Sequence, residues 1–197
     1  MSDDHESQLQ LPKSGGFRKL KSFKLARLCY DITIRFCNLY IPLGSRTRDQ
    51  MEQAARSGVQ NIAEGSKASA TSKMTEIRLT NVARASLTEL SLDYEDFLRQ
   101  HALSPWKKDH PLYQAFVERK IDSSQGFRSF IEWAEDSNPD VHKSVLVSNG
   151  ALLLLRVADY LLNRQVDSLI EDFKKNGDFP ERLKAIRREV KKGRKKP

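Results

Sequence analysis

Between Phe23 and Tyr40 apolar residues return every three or four positions. Leu25, Leu28, Cys29, Ile32, Phe36 and Leu39 fall on one side of a 3.6-residue turn, which predicts an amphipathic helix. Pro42 and Gly44 in IPLG (41–44) stop it. A second helix is expected from about Ser45 to Glu64, with Met51, Ala55, Gly58 or Val59, and Ile62 on one face and Gly65 as its C-cap. After the linker SKASAT, Thr71 or Ser72 can cap a third helix that reaches about Gln100. Leu79, Val82, Ala83, Ser86, Leu90, Tyr94 and Phe97 line its predicted inner face. A fourth long helix is expected from about Val141 to Phe173, through Leu154, Val157, Ala158, Leu161, Leu162, Val166 and Leu169, ended by NGDFP (176–180).

Between the third and fourth helices, HALSPWKKDHP (101–111) and SNPD (137–140) are breaks, and residues 112–135 carry one or two shorter helical patterns split near SSQG (123–126). No segment alternates with period two over a strand length, so no sheet is expected. The pattern predicts an all-α chain: an antiparallel up-down four-helix bundle over 17–173, with a helical excursion between the third and fourth helices. Residues 1–16, ending in KSGG, are expected to be a disordered N-terminus. Residues 174–197 form a basic C-terminal extension, where Leu183, Ile186 and Val190 make a narrow apolar stripe on a short helix.

The stretch RSGVQNIAEGS (56–66) admits two readings, a catalytic turn or a helix end. Ala54, Ala55, Gly58 and Ile62 share one side of a helix, and small residues at that spacing let a neighbouring backbone approach. Glycine inside a helix costs ~1 kcal/mol relative to alanine, so Gly58 points to a packing requirement. Ala83, Ala85 and Ser86 of the third helix are matching small residues. Asn61 and Glu64 fit a tight crossing less easily. The expectation is that they pin register, Asn61 through Ser86 or Glu89 and Glu64 through Arg78 or Arg84.

Composition adds one strong signal. The chain has 197 residues, 39% hydrophobic and 30% charged, enough for one core but polar for a globular protein. Its net charge is +8; residues 174–197 hold eleven Lys or Arg against three Asp or Glu, while residues 1–173 hold 23 of each sign. The basic character therefore sits in the last 24 residues. That asymmetry points to a polyanion-contacting tail on a neutral body.

The N-terminal MSDDHESQLQ has no apolar core of a signal peptide, and no continuous apolar run of about 18 residues predicts a membrane span. ALLLLRVADYLL (151–162) is broken by Arg156 and Asp159 and reads as a buried bundle helix. Cys29 and Cys37 lie eight residues apart on one helix, ~12 Å at ~1.5 Å per residue, too far for a disulfide. Reduced core cysteines suit a cytoplasmic protein. His5, His101, His110 and His142 show no ligand spacing, so neither a metal nor another cofactor is expected.

The string SGVQNIAEGSKASATSKMTEIRLTNVARASLTEL (57–90) strongly resembles a bacterial four-helix bundle family. That family includes proteins encoded in intervening sequences of 23S ribosomal RNA genes and the accessory variability determinant of diversity-generating retroelements. The resemblance rests on Gly58, Asn61, Ile62, Ala63, Glu64 and Gly65, then a Ser/Thr-rich linker, then Leu79, Ala83, Ser86, Glu89 and Leu90. It spans about residues 20–173, and DYLLNRQVDSLIEDFKKNGDFPERL (159–183) is similar to the subset with a C-terminal suffix domain. The excursion and the basic tail make this chain longer than the usual member. The resemblance implies a bundle that assembles into a ring-like homo-oligomer, often a pentamer, with a basic surface. For the retroelement relative it also implies a reverse transcriptase and nucleic acid as partners.

No nucleophile–base motif, phosphate-binding loop or dinucleotide turn occurs, which points away from an enzyme. Glu64, Glu89, Asp93, Glu95 and Asp96 resemble an acid cluster, but no Glu-x-x-His pair accompanies them as in ferritin-like bundles, and solvated faces explain them. The leading expectation is an oligomerising accessory protein whose tail contacts phosphates of RNA or DNA through Lys184, Arg187, Arg188, Lys191, Lys192, Arg194, Lys195 and Lys196. No aromatic lies among them, so sequence preference should be weak. The rival is a protein-interaction scaffold that holds a partner enzyme such as a reverse transcriptase without touching nucleic acid.

Overall fold

The computed structural model describes residues 16–178 together with 181, 184 and 188. Among them are a short 3-10 turn, Gly16–Lys19, and six α-helices: α1 (Lys21–Tyr40), α2 (Arg46–Ala68), α3 (Lys73–Gln100), α4 (Pro111–Glu118), α5 (Ser124–Ser137) and α6 (Lys143–Asn176). No strand occurs among the described residues, so the chain is all-α.

Local chemistry sets most of the boundaries. Backbone bonding of α1 ends at Ile41, just before Pro42, and Gly44 turns the chain with φ +84°. Ser72 caps α3 by accepting from the Thr75 N–H at 3.2 Å, and Ser123 caps α5 by accepting from the Gly126 N–H at 3.2 Å. His110 and His142 use Nδ1 as the acceptor at the starts of α4 and α6. Pro111 at the first position of α4 gives up an N–H that had no helical partner.

The four long helices α1, α2, α3 and α6 bury their apolar stripes together. The most extensive packing is α2 on α3, followed by α3 on α6, α6 on α1 and α1 on α2. Leu28, Phe36, Met51, Ile62, Leu87, Leu90, Tyr94, Leu154 and Leu162 are almost wholly buried in this core. Three residues expected inside are outside: Leu39, Val82 and Val157 are 60%, 42% and 47% exposed. Each lies off the centre of its apolar stripe, on the side of the helix that faces solvent.

The excursion closes the other side of α6. Phe116 of α4 and Phe127 and Phe130 of α5 form an aromatic cluster; the Phe116 and Phe130 ring centroids are 4.9 Å apart. Its floor is Gly150 of α6, where an added Cβ would lie 2.8 Å from the Phe127 ring. The carboxamide of Asn149 accepts from the Trp106 N–H at 2.7 Å, a buried bond that fixes the 101–111 segment to α6. Because α6 is covered by α1, α3 and the excursion, its first half is apolar almost all round. An 18-residue window of α6 reaches a mean hydropathy of 1.6, long and apolar enough to cross a membrane, although 61% of it is buried inside the molecule.

Candidate nucleic-acid interface and the neighbouring helix crossing

The basic extension begins within the last turn of α6, at Lys174 and Lys175. Gly177 ends the helix with φ +64°, a conformation that favours glycine, and its N–H donates to the Phe173 carbonyl at 2.8 Å. The next residue is tied back to the body. The Asp178 carboxylate accepts from the Lys73 backbone N–H at 2.7 Å and from the Ser72 hydroxyl at 3.0 Å. A carboxylate there meets the positive end of the α3 dipole. Lys73 Nζ adds Glu76 at 3.0 Å and Asp172 at 3.5 Å. Burial pushes the Glu76 carboxyl above its usual range, Lys73 opposes this, and Asp172 adds to it. None of these anchoring roles was foreseen, because Asp178 after Gly177 reads only as a turn residue and its partners lie more than a hundred positions away.

Of the eight predicted phosphate contacts, Lys184 and Arg188 are helical and exposed. Arg187, Lys191, Lys192, Arg194, Lys195 and Lys196 lie outside the described residues.

The α2–α3 crossing holds the motif residues. Gly58, Ile62, Gly65, Ala83, Ser86 and Leu90 are buried, Asn61, Ala63 and Leu79 are half-buried, and Glu64 and Glu89 are exposed. A Cβ on Gly58 would lie 2.5 Å from Leu87 Cδ2, so the close approach inferred from the small residues is real. Leu87, which that inference passed over, is the side chain that fills the space.

Four details of the expectation are corrected. Gly65 is not a C-cap: α2 continues to Ala68, and Gly65 lies inside it with an added Cβ 3.3 Å from both the Glu76 carbonyl and Leu79 Cβ. The glycine serves a second close approach, and the following SKA stays helical because none of its residues disfavours a helix strongly. Asn61 does not pin register with α3; its amide donates to the Ser57 carbonyl at 2.8 Å, one turn back on α2. Glu64 has no hydrogen-bond or ion-pair partner among the described residues, and Arg84 pairs instead with Asp159 of α6 at 3.1 Å. Ala85 is exposed and takes no part in the crossing.

Below the crossing, α2 and α3 part into a cleft of about 670 Å³ lined by Asp49, Gln53, Ser57, Glu89 and Asp93. Burial, with Asp96 and Glu89 nearby, pushes the Asp93 carboxyl up to about 6. Cys29 and Cys37 are buried and free, as expected. Burial raises both thiols to about 12. Among the described residues no group of three or more His, Cys, Asp or Glu is placed to hold a metal ion.

Comparison of the chain with protein-family models, with characterised proteins and with solved structures found no match.

Proposed function

We propose that this chain is a non-enzymatic accessory protein of the bacterial cytoplasm that binds nucleic acid, RNA or DNA, through phosphate contacts of its basic extension. The observation that carries this is the charge asymmetry: eleven cations against three acids after Phe173, beside a body with equal numbers of each sign. The exposure of Lys184 and Arg188 supports it, as does the anchor at Asp178, which gives the extension a fixed root.

The body is proposed to be an antiparallel up-down four-helix bundle that assembles into a homo-oligomer, with a pentamer suggested by the family resemblance. Contacts numbered in opposite senses support the bundle: Lys73 with Asp172 and Arg84 with Asp159 join α3 to α6, and Ser22 with Gln165 and Tyr40 with His142 join α1 to α6. In an oligomer, several tails would act on one polyanion by avidity.

The test compares the full chain with a variant in which the eight predicted phosphate contacts among the eleven tail cations are glutamine, on RNA and DNA across a salt series. Glutamines are preferable to truncation because Asp178 holds α3. Loss of tail contacts should flatten the salt dependence by ~0.7–0.9 in log–log slope for each phosphate released. Equal, weak binding by both chains would leave the rival reading, a scaffold for a partner enzyme such as a reverse transcriptase. Native mass measurement gives the oligomer number.

A further inference from the structure

The neutral total over residues 1–173 conceals a second basic cluster. Arg18, Lys19, Lys21, Lys24 and Arg27 follow one another within ten residues, and the first acid after them is Asp31. All five are exposed. Among the described residues only Arg27 has an acid partner, Asp31 at 3.8 Å, and both side chains are more than half exposed. The body's other ion-paired cations lie outside this cluster: Arg48 with Glu52, Lys73 with Glu76, Arg84 with Asp159, Arg99 with Asp96, Lys143 with Glu135.

The folding of α1 does not ask for these cations. Lys21 and Lys24 occupy its first turn, at the positive end of the helix dipole, where acids are favoured and cations opposed. That turn has no acid, and Leu20 provides no side-chain cap. The segment nevertheless sits firmly on the body: Phe17 is buried, lies edge-on to Phe23 with centroids 4.8 Å apart, and carries the Arg18 guanidinium 5.0 Å above its ring.

Packing brings the cluster to the end of the molecule from which the tail departs. The Ser22 hydroxyl donates to the Gln165 side chain at 3.0 Å, and Tyr40 meets His142 with ring centroids 5.9 Å apart. The two helices thus run in opposite senses, and α6 passes the start of α1 as it continues to Asn176. Lys174, Lys175 and the anchored Asp178 follow there.

We infer that Arg18, Lys19, Lys21 and Lys24 form a second phosphate-contacting surface, on which the backbone of the nucleic acid held by the tail is received by the body. This rests on the nucleic-acid reading above. An anionic bilayer fits less well, because a helix that lies on a membrane must expose an apolar face. Here the apolar face of early α1 is spent on the core, and no exposed large apolar side chain occurs among the described residues before Leu39.

The experiment measures fluorescence anisotropy of a labelled 20-nucleotide RNA and a 20-base-pair DNA duplex across a salt series. Four proteins are compared: the full chain, R18E/K19E/K21E/K24E, the eight-glutamine tail variant, and the two sets combined. The charge reversal should raise the melting temperature, since acids now face the dipole, while binding falls at least tenfold at low salt. The slope should flatten by roughly 3 if all four residues touch phosphates. The combined variant should bind less than either. Unchanged affinity and slope in the charge reversal, with binding lost in the tail variant, would overturn the inference and leave the tail reading standing. A full chain that binds neither nucleic acid overturns both, and binding to anionic vesicles alone does the same. If the reversal fails to fold, glutamine at the same four positions reads the same slope.

Discussion

Gly58 and Gly150 both lie inside helices, and both meet a side chain that leaves no room for a Cβ, yet they serve different kinds of contact. Gly58 receives Leu87 where α2 crosses α3, two helices joined by a short linker. Gly150 receives Phe127 where the excursion docks on α6. The first partner is a branched aliphatic chain with other rotamers available; the second is a flat ring already set edge-on against Phe116, which in turn packs on Phe130. A glycine in a helix therefore announces a close approach without saying what approaches or how readily it yields.

The largest test of the contrast is Phe130→Ala. Phe130 is 1% exposed, and its cluster is continuous with the core of the long helices. The variant should lose ~3–5 kcal/mol in denaturant unfolding and still melt in one transition. A separate early transition confined to α4 and α5 would show that the excursion is an independent layer and break the comparison.

Next come the glycines themselves. Gly58→Ala gains ~1 kcal/mol of helix propensity but overpacks Leu87 by ~1–3 kcal/mol, so a net loss of about 1 kcal/mol is expected. Gly150→Ala should lose more, about 2 kcal/mol, because the Phe127 ring cannot bend away. In a Leu87→Ala background, Gly58→Ala should become stabilising, measured as a double-mutant cycle. Equal losses at the two glycines would remove the distinction between the partners.

Asp93 sharpens the picture of the crossing through pH. Its folded pKa, about 6, lies above the ordinary 3.8, so the native state holds the proton more tightly than the unfolded chain. The stability this contributes is complete below about pH 4 and lost as pH rises through 6. Asp93→Asn should stabilise the protein by about 1 kcal/mol at pH 7.5, allowing for partial solvent screening, and by nothing at pH 4, as read from paired thermal melts.

The smallest effect is expected at Asn61→Ala. Its one bond stays within α2, so the melting temperature should change by less than the equivalent of ~0.5 kcal/mol. A clear drop would restore a cross-helix role for the amide.

These differences track what a one-dimensional pattern can hold. The four long stripes were readable because burial repeats every turn, and Ser72 was readable because capping is local. The α2–α3 crossing was readable from its small residues, but Leu87 was not, since nothing in its own neighbourhood distinguishes it from Leu79 or Leu90. Gly150 in SNGALLLL was hidden by a run apolar on every side, which has no period to follow. Asp178 was missed because its partners, Ser72 and Lys73, are brought to it only by the fold. The unpaired cations of early α1 were legible one by one and vanished when charges were summed over the whole body.

The two thiols make a stopwatch. Cys29 and Cys37 sit two turns apart on α1, the second with its sulfur 4.0 Å from the Met51 sulfur on α2. With both thiols held near 12, neither reacts at neutral pH while the helices are closed. At reagent concentrations where capture outpaces reclosing, the rate at which the thiols are consumed is the rate at which α1 leaves its neighbours, read in the native protein without denaturant. In the presence of nucleic acid the same clock would report whether a strand laid across Lys21 and Lys24 slows the opening of the helix beneath it.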